Sequence, residues 1–186
     1  MTKRNQIIQT TIQLVSEMGL YATSMALIIK ESKVSAGTIY HYFKNKDDLI
    51  RTIYDELREE MGKILTQGVD QDLSFKNQFF MFWKNLFFFF RKNPHKFEFI
   101  EHYASTPLAK EEVKVINQSH YQSALDFIQY GIEMGYLRNL PVEYIIQLIF
   151  AHVSVVVRMI SVNEEEPPER MLQAYIQSSW DSIRNT

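Results

Sequence analysis

Cysteine is absent from the 186 residues. No disulfide, thiol nucleophile or cysteine-bound metal can therefore stand here, and a reducing compartment fits. Glycine and proline are scarce, with six and five, which argues against a fold of many strands, because such folds need both residues at their turns. Long apolar runs are also missing. The most apolar stretch, Phe79 to Phe90, is interrupted by Lys84-Asn85, whereas a membrane span needs about 20 residues. The opening Met1-Thr2-Lys3-Arg4-Asn5-Gln6 has no apolar run behind its charges, so no secretory signal is expected. The expectation is a cytoplasmic protein without a membrane partner. Catalytic signatures are lacking as well: there is no phosphate-binding glycine loop, no nucleophile elbow and no HExxH. No enzymatic activity, catalytic residue or cofactor is expected. His95, Glu98 and His102 fall at i, i+3 and i+7 and share a helix face as metal ligands do. A solvated helix produces that spacing by chance, and no metal is expected.

What is present is apolar and aromatic. Hydrophobic residues make up 46% and aromatics 13%, enough to exclude disorder. A chain of this size buries roughly two-thirds of its unfolded surface. The net charge of −2 divides unevenly. Residues 1–46 hold Lys3, Arg4, Lys30, Lys33, Lys44 and Lys46 against Glu17 and Glu31, while the remainder is acidic. A basic head on an acidic body suits a polyanionic partner for the head.

Periodicity predicts helices almost throughout. Ile7, Ile8, Thr11, Leu14, Val15 and Met18 form a stripe that Gly19 stops. Thr23 or Ser24 caps a short segment, Met25 to Ser32, and another short helix runs from Val34-Ser35 to Tyr42. Asn45 or Asp47 opens a long helix with Leu49, Ile50, Ile53, Leu57, Met61, Ile64 and Leu65 along one side. Leu73 to Arg91 is apolar nearly all round and should be buried on most sides. Pro94, Pro107 and Pro141 each begin a further helix, and a last one carries Met171, Leu172, Tyr175, Ile176 and Trp180 inward. The expectation is an all-α chain of about nine helices: three short ones over 1–46, then a larger bundle over 47–186.

The informative segment is Thr23 to Leu49. Two short helices meet at a tight turn, and the second begins with small or polar residues: Ser35, Ala36, Gly37 and Thr38. A helix entering the DNA major groove needs such a slender end, because bulk there would hold it off the base edges. Gly37 costs about 1 kcal/mol against Ala inside a helix, which is understandable if the backbone approaches another surface. Tyr40, His41, Tyr42 and Lys46 offer donors suited to phosphate oxygens. The same residues also suit two capped core helices with solvated lysines.

This string resembles the DNA-binding domain of the tetracycline-repressor (TetR) family. The pattern is Thr23, Ile28, Val34-Ser35, Gly37-Thr38-Ile39-Tyr40, Tyr42-Phe43, Lys46 and Leu49, preceded by the Gly19 stop, over about the first 50 residues. The resemblance implies an N-terminal three-helix helix-turn-helix domain. Ser35, Ala36, Gly37 and Thr38 would face bases, and Thr23, Ser24, Tyr40, His41, Tyr42 and Lys46 would hold phosphates of operator DNA. Ile29 stands where the family usually has Ala, and Lys33 where it has Gly, so Lys33 must take a positive φ. Leu27 replaces a residue that is usually polar, and Ala36 is shorter than the side chain relatives use.

The resemblance further implies a body that binds a small-molecule effector and forms a homodimer through its last two helices, about 141–162 and 168–184. An effector would shift the long helix at 47–67 and change the spacing of two recognition helices. Phe79, Trp83 and Phe87, with Glu101, His102, Tyr103, Asn117 and Tyr121, are the candidate ligand residues for an apolar or aromatic inducer. Aromatics at helical spacing equally fill a core. The apolar run Ile145 to Ile160 is read as the interface, or else as a central helix within one chain. The reading favoured is a ligand-responsive repressor; the alternative is a small helical enzyme or carrier of apolar ligands.

Overall fold

The first helix begins after a threonine whose own backbone is extended. In the computed structural model, Thr2 accepts a hydrogen bond from the Asn5 amide, and α1 runs Lys3–Ala22. The structure describes residues 1–70, 72–107, 109, 122–160 and 166–185. Among them are eight further helices: α2 (Met25–Ser32), α3 (Ala36–Tyr42), α4 (Lys46–Leu65), α5 (Phe75–Lys92), α6 (Pro94–Ala104), α7 (Gln122–Glu133), α8 (Val142–Met159) and α9 (Glu169–Ile183). The only pairing outside helices among the described residues is an isolated bridge, Leu137 to Arg184. The fold is all-α, as expected.

The chain forms two compact units, Met1–Glu59 with Asn93–Asn117, and Glu60–Lys92 with Gln118–Thr186. In the first, Ile7, Ile8, Thr11, Leu14 and Val15 are buried, but Met18 is 44% exposed. Gly19 explains the departure. Its φ of 81° breaks the helix just after Met18, and beyond it Leu20 turns inward and Tyr21 turns out. Two side-chain caps then set α2 and α3. Ser24 accepts from the Leu27 amide, and Ser35 accepts from the Thr38 amide. Lys33 lies between them at φ 53°, as the resemblance required. Asn45, rather than Asp47, opens α4: its side chain accepts from the Asp48 amide at 2.8 Å, and Asp48 reaches back to the Lys44 amide.

Helix α6 belongs to this same unit and packs on α1. His95 is hydrogen-bonded to Ser16 at 2.8 Å, and the His102 ring lies against Gly19. Tyr103 stacks on Tyr54 of α4 with ring centroids 4.0 Å apart. The histidine face of α6 is thus used for packing, and no group of three metal-binding side chains occurs among the described residues.

The second unit is organised by α5. Phe75, Phe79, Phe82, Trp83, Leu86, Phe87, Phe89 and Phe90 are all buried. Phe75 stacks between Phe127 and Tyr136, and Trp180 packs against Phe79. Phe90 meets Phe150 edge-on. These pairs fill the core where α5 meets α7, α8 and α9. On α8, Ile145, Ile149, Val153, Val156 and Val157 are buried. Against the expectation that Phe79 to Phe90 is the most apolar stretch and that none is long enough for a membrane, α8 is by length and composition apolar enough to cross one, and only a third of it is buried. Its outer side shows Tyr144, Ala151, Val155 and Met159, which recur at helical spacing on one face.

Candidate nucleic-acid interface

Helix α3 is amphipathic over only two turns. Ile39 is completely buried, as is Phe43 just beyond its end, while Ser35, Ala36, Gly37, Tyr40, His41 and Tyr42 are exposed. Thr38 is half-buried, and its hydroxyl shares a 2.8 Å hydrogen bond with Ser35. The small residues at the start of α3 therefore sit together, outward, at its N-terminal end. A Cβ built on Gly37 would meet no atom within 4 Å, and Gly37 has no positive φ. Neither crowding inside this unit nor backbone geometry asks for glycine at this position.

The remaining predicted contacts sort into two kinds. Ser24, Tyr40, His41 and Tyr42 are exposed, with Tyr40 at 52%. Ser24 already caps α2 through its oxygen, and its hydroxyl hydrogen is still available to an acceptor. His41 and Tyr42 meet edge-to-face at 5.5 Å, which orients both rings. Thr23 is different, because it is fully buried and its hydroxyl donates to the Gly19 carbonyl at 2.9 Å. Lys46 donates to the Leu20 carbonyl at 2.5 Å. Burial lowers its pKa, opposed by the neighbouring Asp47 charge. One bond to Leu20 uses one of three ammonium hydrogens, which leaves donors for a phosphate. Thr23 and Lys46 thus grip two successive carbonyls at the kink in α1, and they fix where Ser24 and α2 begin.

Further ties hold the helices of this unit in register. Gln6 donates to the Ser32 carbonyl at 2.8 Å, Arg4 pairs with Glu56, and the Arg4 guanidinium lies over the Phe43 ring at 5.7 Å. Arg4 is consequently engaged inward, whereas Lys33 and Lys44 are exposed. Tyr21 escapes sequence reasoning. It lies beyond the Gly19 stop and is 86% exposed beside Ala22 and the capped start of α2. Only the Gly19 break, visible as a glycine four residues before a threonine, could have signalled it.

The candidate ligand residues are not all brought together. Phe79, Trp83 and Phe87 lie completely buried on one face of α5 in the second unit. Glu101 and His102 are half-buried and Tyr103 is buried, all on α6 in the first unit. Asn117 and Tyr121 lie outside the described residues. Trp83 and Phe87 stack at 5.6 Å, and the Trp83 indole N–H has no hydrogen-bond partner among the described residues.

Residues 7–53 match the family described as "Bacterial regulatory proteins, tetR family", and residues 74–184 match "Tetracyclin repressor-like, C-terminal domain". An uncharacterized HTH-type transcriptional regulator of Haemophilus influenzae is 28% identical over 183 residues, covering 96% of this chain and 94% of the relative. A tetR family transcription regulator from Shewanella sp. PV-4 superposes with a TM-score of 0.87 at 22% identity, with both chains fully covered. The transcriptional regulator FadR from Bacillus subtilis, solved in complex with stearoyl-CoA, gives 0.72 at 21% identity over 95% of each chain.

Proposed function

The chain belongs to the tetracycline-repressor (TetR) family, and on that premise we propose that it is a helix-turn-helix transcriptional regulator acting as a homodimeric, ligand-responsive repressor. Residues 1–46 carry the DNA contacts, and 47–186 carry the effector and dimer surfaces. Ser35, Ala36, Gly37 and Thr38 approach base edges in the major groove; Ser24, Tyr40, His41, Tyr42 and Lys46 hold phosphates. Thr23 serves beneath them by locking the α1 end to which Ser24 is attached.

Gly37 carries this reading. A residue that costs helix stability, in open space and with ordinary backbone angles, is explained by a surface outside the chain. Ala36 beside it can meet a thymine methyl but cannot hydrogen-bond a base.

Two copies are needed because one short recognition helix gives little affinity, and paired half-sites one helical turn apart supply the rest. The exposed stripe on α8, together with Met171, Ala174 and Ser178 exposed on α9, supports a four-helix contact between two chains. The buried aromatic face of α5 supports an apolar effector. The stearoyl-CoA bound in the Bacillus subtilis regulator agrees with that class. Release results if the effector favours a body conformation that repositions α4 and α6, since α6 is seated against α1 at Gly19. An effector acts only through its differential affinity for the two states.

Titrating labelled upstream DNA by fluorescence anisotropy at several salt concentrations tests the reading. The expected result is a site bound at least about 10³-fold more tightly than random sequence. The affinity should also fall with salt by a slope of about −0.9 per phosphate contact. Equal affinity for random DNA, or a slope near zero, overturns it.

A further inference from the structure

Trp83 is 0% exposed, and its indole N–H finds no acceptor among the described residues. An indole nitrogen is a donor only, so it cannot be satisfied by rotating into another role. Leaving such a donor buried and unpaired costs about 1–3 kcal/mol. A purely structural position of this size would be served as well by phenylalanine, which already occupies eight other positions of α5, from Phe75 to Phe90. The neighbours on the same face of the helix, Phe79 and Phe87 at i−4 and i+4 and Leu86 and Phe90 at i+3 and i+7, are buried and offer no acceptor. The missing partner must come from outside this helix face.

Resting on the effector reading above, we infer that Trp83 is the specificity-determining donor of the body, and that the effector is an apolar molecule carrying a neutral oxygen acceptor, such as an ester or thioester carbonyl. The rings supply area without discrimination. The indole N–H supplies a directional contact, and a hydrocarbon of equal length leaves it unpaired. A site built to hydrogen-bond a ligand rejects the analogue that lacks the group, because its own polar atom is then stranded.

The chain has two tryptophans, Trp83 and Trp180, so Trp180→Phe leaves Trp83 as the sole indole reporter. Methyl decanoate and dodecane, matched in chain length, are the probes, with emission of the Trp180→Phe protein and calorimetry as readouts. The expected result is a red shift in Trp83 emission with the ester alone, and ester binding at least about tenfold tighter than alkane binding, the scale of one good hydrogen bond. Trp83→Phe should erase the preference, bringing the ester and alkane affinities to a ratio of about one. Equal binding of both probes to the protein with Trp83 intact overturns the inference. Retention of the ester preference in Trp83→Phe overturns it as well. If neither probe binds, the apolar-effector reading itself fails, and the role of Trp83 falls with it.

Discussion

Two helical glycines separate the two units of this molecule. Gly131 in α7 is buried, and a Cβ there would lie 2.3 Å from the Phe75 ring and 2.8 Å from a Leu137 methyl. Gly37 in α3 is exposed, and a Cβ there would touch nothing. Both glycines weaken their helices by the same entropic mechanism. In one case the chain's own core explains the choice; in the other the explanation lies outside the chain. A core glycine therefore reports packing, while a surface glycine in an ordinary helical conformation reports a partner.

That contrast can be broken most forcefully in the body. Phe79→Ala removes a fully buried ring packed against Trp180 and should cost about 3–5 kcal/mol in denaturant unfolding. The first unit's surface offers the opposite signature. Gly37→Ala should raise thermal stability by about 1 kcal/mol while lowering specific DNA affinity tenfold or more, the scale of about 1–3 kcal/mol for one lost base-edge fit. Anisotropy and calorimetry on the same preparation would show both, and unchanged DNA affinity would remove the reason for a glycine at 37.

Gly131→Ala is the matched control. Overpacking of about 1–3 kcal/mol is partly offset by about 1 kcal/mol of helix propensity. The net is a modest loss in chemical denaturation, with the DNA affinity of the folded protein unchanged. Lys33→Gly, in the left-handed turn between α2 and α3, should stabilise by about 1 kcal/mol by relieving the αL penalty. The smallest effect concerns Lys46. Its folded pKa lies below the unfolded value, so the unfolded state binds the proton more tightly and stability should rise as pH climbs through the folded pKa toward about 10.4. Lys46→Met should remove that increment from a pH series of thermal melts.

Much of this was legible in the residues. Caps at Ser24, Ser35 and Asn45 and helix starts at Pro94 and Pro141 arise from local chemistry that acts within four residues, whereas the positive φ at Lys33 was implied by the family resemblance. Local rules failed where a single backbone angle redirects the residues on either side of it. Spacing puts Met18 on the α1 stripe, yet it is 44% exposed, one residue before the kink at Gly19 (φ 81°). They failed again where a backbone group competes for a side chain. The hydroxyl of Thr23 reads as a free phosphate donor until the Gly19 carbonyl claims it.

The amino-acid sequence alone determined the helical class, the slender end of the recognition helix and the family, because these rest on periodicity and on residue types at fixed short spacings. Only the tertiary structure decided that α6 packs on α1, in the unit of the first three helices, although it is flanked in the chain by helices of the other unit. It also decided that Phe79, Trp83 and Phe87 lie in one compact unit while Glu101, His102 and Tyr103 lie in the other. Which helix covers which is settled by the fit of whole apolar faces across long stretches of chain, and no local window of residues contains that information.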